Sequence, residues 1–151
     1  MKILNNLFII SIIFLMVSCS KDDKVSIVKE KNIEAQMIEA FEEGYEELEN
    51  GDVLFAAKKF NEAETLFPQS VWAPRSALMA AYSYYIQDYY GDAVAELIRF
   101  KKVYPLNKNI DYANYLLAIC YYEQIVDEKK DLQSIINAEK TFKYIIKNYP
   151  N

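Results

Sequence analysis

The sequence predicts an all-α solenoid built from antiparallel helical hairpins, and three observations carry that expectation. Glycine and proline are scarce, 3 and 4 among 151 residues, so few points interrupt a helix. Positions 35 to 149 contain no run of alternating apolar and polar residues, the pattern that a half-buried strand needs. A set of small, aromatic and proline residues also recurs at one spacing in three successive stretches, which marks a repeat architecture.

The spacing is explicit. Gly44, Ala56, Phe60, Ala63 and Pro68 are separated by 12, 4, 3 and 5 residues. Laid on Ala81, the same ruler falls on Ala93, Leu97, Phe100 and Pro105. With eight extra residues in the turn, Ala118 is followed by Ala138, Phe142, Ile145 and Pro150. A small residue in each helix lets two backbones approach, an aromatic one turn later fills the gap, and proline ends the second helix. These offsets are those of the tetratricopeptide repeat (TPR), so the expected fold is a TPR solenoid with repeats at about 35–70, 71–108 and 109–151.

The helices follow in order at about 35–49, 52–67, 71–87, 90–104, 110–125 and 132–149. Asn50-Gly51-Asp52 reads as a turn in which Asp52 caps the next helix. The stretch Pro105-Leu106-Asn107-Lys108-Asn109 separates the second hairpin from the third, and Asp127 to Asp131 forms a charged, lengthened turn within the third. The chain stops at Pro150-Asn151, directly after a repeat-ending proline. A solenoid needs a polar cap over its last apolar face, so the expectation is a truncated sequence or an end covered by a partner.

The first 18 residues have a different character. Met1-Lys2, an apolar stretch from Leu7 to Val17 and a small residue at Ser18 are the parts of a secretory signal peptide. The apolar run is short of the roughly 20 residues that a membrane span needs. Leu15-Met16-Val17-Ser18-Cys19 resembles the lipobox of bacterial lipoproteins, with Met16 where leucine is usual. In such proteins the cysteine becomes the first mature residue and its sulfur carries a diacylglycerol. By the same resemblance, Ser20 in place of aspartate favours the outer membrane. The alternatives are a cleaved signal with an incidental cysteine, or an uncleaved anchor. Residues 19–34 read as the lipidated N-terminus and a polar, flexible tether.

Composition narrows the function. Net charge is −5, so no phosphate-binding face is expected and nucleic acid is not a partner. There is no histidine, which removes the commonest general base and metal ligand. No nucleophile–base pair, metal cluster or phosphate loop is found, so the expectation is no enzyme, no metal and no cofactor besides a covalent lipid on Cys19. Cys120 lies between apolar neighbours and reads as a small buried hydrophobe. Glu42-Glu43, Glu46-Glu47 and Asp127-Glu128 read as solvated helix faces and turns, since none has the spacing of a calcium loop. Trp72 reads as a packing residue at a helix start.

At the third hairpin the pattern narrows. Asn109-Ile110-Asp111-Tyr112-Ala113-Asn114-Tyr115-Leu116, followed by Ala118, Cys120, Tyr121 and Tyr122, resembles the signature helix of the BamD family of outer membrane protein assembly factors. Tyr82-Ser83-Tyr84-Tyr85 with Asp92-Ala93 is similar to that family's second repeat, and Gly44, Leu48, Gly51 and Ala56 are similar to its first. Ala118 stands where glycine is frequent, and Asp131-Leu132-Gln133 where an Arg-Asp-Gln stretch is usual. The resemblance covers about 35–151, three of the five repeats such proteins usually carry. It implies a scaffold and substrate receptor in the complex that inserts β-barrel proteins into the outer membrane, on its periplasmic face. The implied partners are an Omp85-type barrel, met through its POTRA domains, and unfolded barrel substrates, met through their C-terminal targeting segment. Other assembly lipoproteins and outer-membrane lipid complete the set. The alternative is another periplasmic TPR lipoprotein, an adaptor in envelope or division processes.

In a stack of hairpins the first helices line the concave surface. Helical spacing places Phe41 and Tyr45 on one face of the first such helix, Arg75, Leu78, Tyr82 and Tyr85 on the second, and Tyr112, Tyr115 and Tyr122 on the third. Tyrosine offers a large rigid surface with a polar tip, which suits a protein-binding groove. The expected ligand is an extended or loosely turned, aromatic-ended peptide whose carboxylate meets Arg75. The alternative is that several of these tyrosines only pack between repeats.

Overall fold

The computed structural model describes residues 32–127 and 131–150. Cys19, its leader and the tether up to residue 31 lie outside the described residues. Among the described residues six helices succeed one another: α1 Ile33–Asn50, α2 Val53–Leu66, α3 Ala73–Tyr85, α4 Tyr90–Val103, α5 Ile110–Glu123 and α6 Leu132–Asn148. Among the described residues there is no strand, and no helix is long and apolar enough to cross a membrane.

Local chemistry sets the helix ends. The side-chain oxygen of Asn32 accepts the Glu34 N–H at 3.2 Å, so α1 starts at Ile33, two residues before the repeat spacing places it. It ends at Gly51, whose φ of 85° is left-handed and whose N–H is donated to the Leu48 carbonyl. Asp52 follows and accepts the Phe55 N–H at 3.1 Å, capping α2 as expected. The third helix is shorter than its expected 71–87. At its start the Ser70 hydroxyl accepts the Ala73 N–H at 3.1 Å, and Pro74 occupies the first turn. At its end the chain turns through Asp88, a non-glycine residue with φ of 64°. Tyr90 donates its hydroxyl to Asp88 at 2.6 Å across that turn. In the last hairpin the Asp131 carboxylate accepts the N–H groups of Val126 and Asp127 at 3.0 and 2.8 Å.

Each helix packs on the next, from α1 against α2 through to α5 against α6, as expected of a TPR solenoid. The repeat residues form the seams. Gly44 of α1 lies against the ring of Phe60 of α2, where an added Cβ would meet the ring at 3.0 Å. In the second hairpin Ala81 and Leu97 take those places, and Phe100 and Cys120 join them in one buried cluster reaching α5. Burial thins in α6, where Ala138 is the one buried residue and Leu132 and Ile146 are 61% and 73% exposed.

The second helices of the first two repeats are also clamped by polar contacts. Arg99 of α4 meets Glu64 of α2 with both ends of its guanidinium, Nη1 to Oε1 at 2.8 Å and Nη2 to Oε2 at 2.6 Å. Tyr104 donates its hydroxyl to the same carboxylate at 2.7 Å, and Arg99 also donates to Glu96 at 2.8 Å. Glu64 is only 8% exposed, so its charge needs this set of donors. Glu43, in one of the acidic runs, pairs with Lys59 at 2.6 Å.

Candidate binding groove

The groove is built on the first helices of the second and third repeats. Arg75 sits in the first turn of α3, where the Ser70 turn and Pro74 set the helix start. Its guanidinium carbon lies 4.9 Å from the Trp72 ring centroid and 5.4 Å from that of Phe41. Phe41 is fixed in turn, edge-on to both Trp72 and Phe60 with centroids 5.2 Å apart in each case. Two aromatic faces thus hold the cation, and among the described residues no carboxylate pairs with it.

Arg75 stands where two hollows meet. One, of about 410 Å³, is lined by Arg75, Leu78, Met79 and Tyr82 of α3 together with Asn109 and Tyr112. The other, of about 690 Å³, runs past Val71, Trp72, Pro74, Arg75 and the Asn107-Lys108-Asn109 loop. Neither is lined by an acidic residue, and Lys108 adds a second cation to the larger. Burial raises the phenol pKa of Tyr112 above its ordinary value, and Tyr82, Tyr85 and Tyr115 add to the shift as near neighbours. The Tyr112 hydroxyl therefore stays protonated and able to donate at physiological pH.

The structure sorts the eight expected groove residues. Arg75, Tyr82 and Tyr112 line one hollow. Phe41 does not; it is half-buried beneath Trp72 and Arg75, because the α1–α2 hairpin brings Phe60 against its other side. Tyr85 is also a packing residue, its ring 6.3 Å from Tyr82 and 6.2 Å from Tyr90 of the hairpin partner α4, so that helix covers a side chain expected to be free. Tyr45, Tyr115 and Tyr122 are 50%, 52% and 58% exposed and border neither hollow.

Trp72, expected to pack at the helix start, does so and also carries one face of the Arg75 cation. The spacing missed Met79, Asn109 and Lys108. The last two sit in the break after Pro105, where a loop replaces helical periodicity, and the pause before α5 was their one sequence signal. Cys120 is fully buried in the core, and burial pushes its thiol up to about 12.

Residues 33–151 match the family model described as YfiO, outer membrane lipoprotein. Among curated proteins, the chain is similar to the outer membrane protein assembly factor BamD of Caulobacter vibrioides, with 38% identity over 108 residues, 72% of this chain and 35% of that one. It is 30% identical over 151 residues to the BamD of Rickettsia prowazekii, covering 99% of this chain and 57% of the relative. With the BamD of Neisseria meningitidis serogroup B it shares 33% identity over 84 residues, 56% of this chain and 32% of that one. The chain therefore spans between about a third and somewhat over half of the length of these relatives.

Proposed function

The chain belongs to the YfiO family of outer membrane lipoproteins, and from that premise we propose that it is a lipid-anchored scaffold and substrate receptor for β-barrel assembly at the outer membrane. The relatives at 38% and 30% identity bear the name of outer membrane protein assembly factor, which supports the assembly role. The role proposed is binding, not catalysis, and the one prosthetic group proposed is the lipid on Cys19.

The observation that carries the receptor reading is the Arg75 cation, held on Trp72 and Phe41 where a hollow walled by Tyr82 and Tyr112 meets a second one that runs past Lys108. A peptide ending in an aromatic residue offers matching chemistry. Its carboxylate meets the guanidinium, its ring lies among Leu78, Met79 and Tyr82, and its backbone accepts from phenol hydroxyls. An unfolded barrel substrate would present such a segment at its C-terminus. The second proposed partner is an Omp85-type barrel contacted through its POTRA domains, with other assembly lipoproteins alongside.

Purification of the tagged full-length protein from mildly solubilised envelopes tests the assembly role. Stoichiometric recovery of an Omp85-type barrel is the expected result. Recovery of cell-wall or division proteins in its place transfers the chain to an adaptor role.

A further inference from the structure

The two seams between second helices are built to one register, and their chemistry differs. Glu64 stands twenty residues beyond Gly44, and Lys101 stands twenty beyond Ala81. Arg99, which receives Glu64, has Tyr144 as its counterpart in the third repeat once the eight-residue insertion is counted. In the first seam that register joins a carboxylate to a guanidinium at 2.6 Å. In the second it sets the Lys101 ammonium 5.8 Å from the Tyr144 ring centroid, with no anion between them.

The space is real. A hollow of about 300 Å³ lies in the second seam, with Ile98 and Lys101 of α4, Leu117 and Tyr121 of α5, and Lys140 and Tyr144 of α6 on its walls. No carboxylate lines it, and among the described residues none pairs with Lys101 or Lys140. Lys101 is half-buried, and that burial lowers its pKa, the cost of a cation withdrawn from water without a counter-charge. In the first seam the cation is Arg99, and Glu64, which stands at the register of Lys101, satisfies it.

We propose that the seam between α4 and α6 is a docking site for an acidic segment of a partner protein, whose carboxylate enters the hollow between Lys101 and Lys140. The first seam shows what such a place takes, a carboxylate side chain accepting from a cation and a tyrosine hydroxyl. Ile98, Leu117 and Tyr121 add an apolar floor, so the preferred segment sets an apolar residue beside its acid. The chain as a whole carries −5, which repels acidic peptides in general, so binding of one requires a local cationic site. This surface is lined mainly by second helices, apart from the Arg75 groove.

The full chain in detergent micelles is titrated with a labelled peptide alternating glutamate and leucine, with its glutamine counterpart, and with phosphatidylglycerol added to the micelle as competitor. The glutamate peptide should bind and the glutamine peptide should not. Lys101→Gln should weaken binding by about tenfold, as expected for loss of a charge-assisted contact. Lys140→Gln, on the exposed wall, should weaken it to a smaller extent, and it keeps the test alive if Lys101→Gln melts early by circular dichroism. Neither variant should alter capture of an aromatic-ended peptide at Arg75. Equal affinity for the two peptides, wild-type affinity in both variants, or displacement of the peptide by phosphatidylglycerol overturns the proposal; the last outcome would make the seam a lipid site.

Discussion

Gly44 and Phe60 meet so closely that a Cβ on the glycine would stand 3.0 Å from ring atoms Cδ1 and Cε1. The ring has little freedom to retreat, being fully buried and held edge-on by Phe41 at 5.2 Å. Two effects compete in Gly44→Ala. Alanine in a helix interior gains up to about 1 kcal/mol over glycine, and overpacking a tight core costs about 1–3 kcal/mol. With the ring pinned, overpacking wins. Gly44→Ala should lower the melting temperature by several degrees, and Phe60→Leu in the same chain should reverse much of that loss. A higher melting temperature for Gly44→Ala would show that Phe60 moves.

The Glu64–Arg99 clamp supports a second expectation. Surface ion pairs contribute about 0–1 kcal/mol, whereas breaking a buried one costs about 3–5 kcal/mol. Here the side chains are 10% and 38% exposed, so the pair falls between those limits. Glu64→Ala should cost about 2 kcal/mol, seen as a lower denaturant midpoint at constant slope. Arg99→Lys in the chain that keeps Glu64 should lose stability too, because an ammonium cannot give two parallel N–H bonds to one carboxylate.

Alkaline pH should unfold the chain earlier than its carboxylates alone would suggest. Burial and the bond to Glu64 raise the Tyr104 phenol above its ordinary value of 10.0, and burial lifts the Cys120 thiol from 9.0 to about 12. Both groups hold their protons more tightly folded than unfolded. Their stabilisation is therefore complete below pH 9.0 and is lost as pH rises from there toward 12. Melting temperature should fall across that window, and Cys120→Ala with Tyr104→Phe should flatten the profile. An unchanged slope would mean that neither group stays protonated in the folded state.

The tyrosine stripe divides into two kinds of residue, and stability separates them. Tyr85 is wedged between Tyr82 and Tyr90, so Tyr85→Ala should cost about 2 kcal/mol, less than a fully buried aromatic. Tyr115 is 52% exposed, and Tyr115→Ala should stay within about 0.5 kcal/mol of wild type. Equal losses from the two would contradict this division, and urea denaturation measures both.

The hairpins were legible because their seams depend on residue size at fixed spacing. Gly44 with Phe60 and Ala81 with Leu97 announce close helix approach in the sequence itself. The helix ends were less legible, since a side chain such as Asn32 can cap two residues ahead of the repeat pattern. Periodicity named the face of each first helix but not what its neighbours cover, which is why Phe41 and Tyr85 turned out to be packed. The clamp at Glu64 and Arg99 went unseen because its partners lie 35 residues apart, on the second helices of two different repeats. Opposite charges about one repeat length apart were the signal available.

Calorimetric titration of a peptide ending in phenylalanine, as free acid and as amide, tests the receptor reading most directly. The wild-type chain should bind the acid about tenfold or more tightly than the amide, as expected when a charge-assisted hydrogen bond is lost. Arg75→Gln should remove that preference, and Tyr82→Ala with Tyr112→Ala should weaken both forms while leaving helicity intact. Equal binding of acid and amide by the wild-type chain, or a preference that survives in Arg75→Gln, would contradict the assignment of Arg75 as the carboxylate receptor.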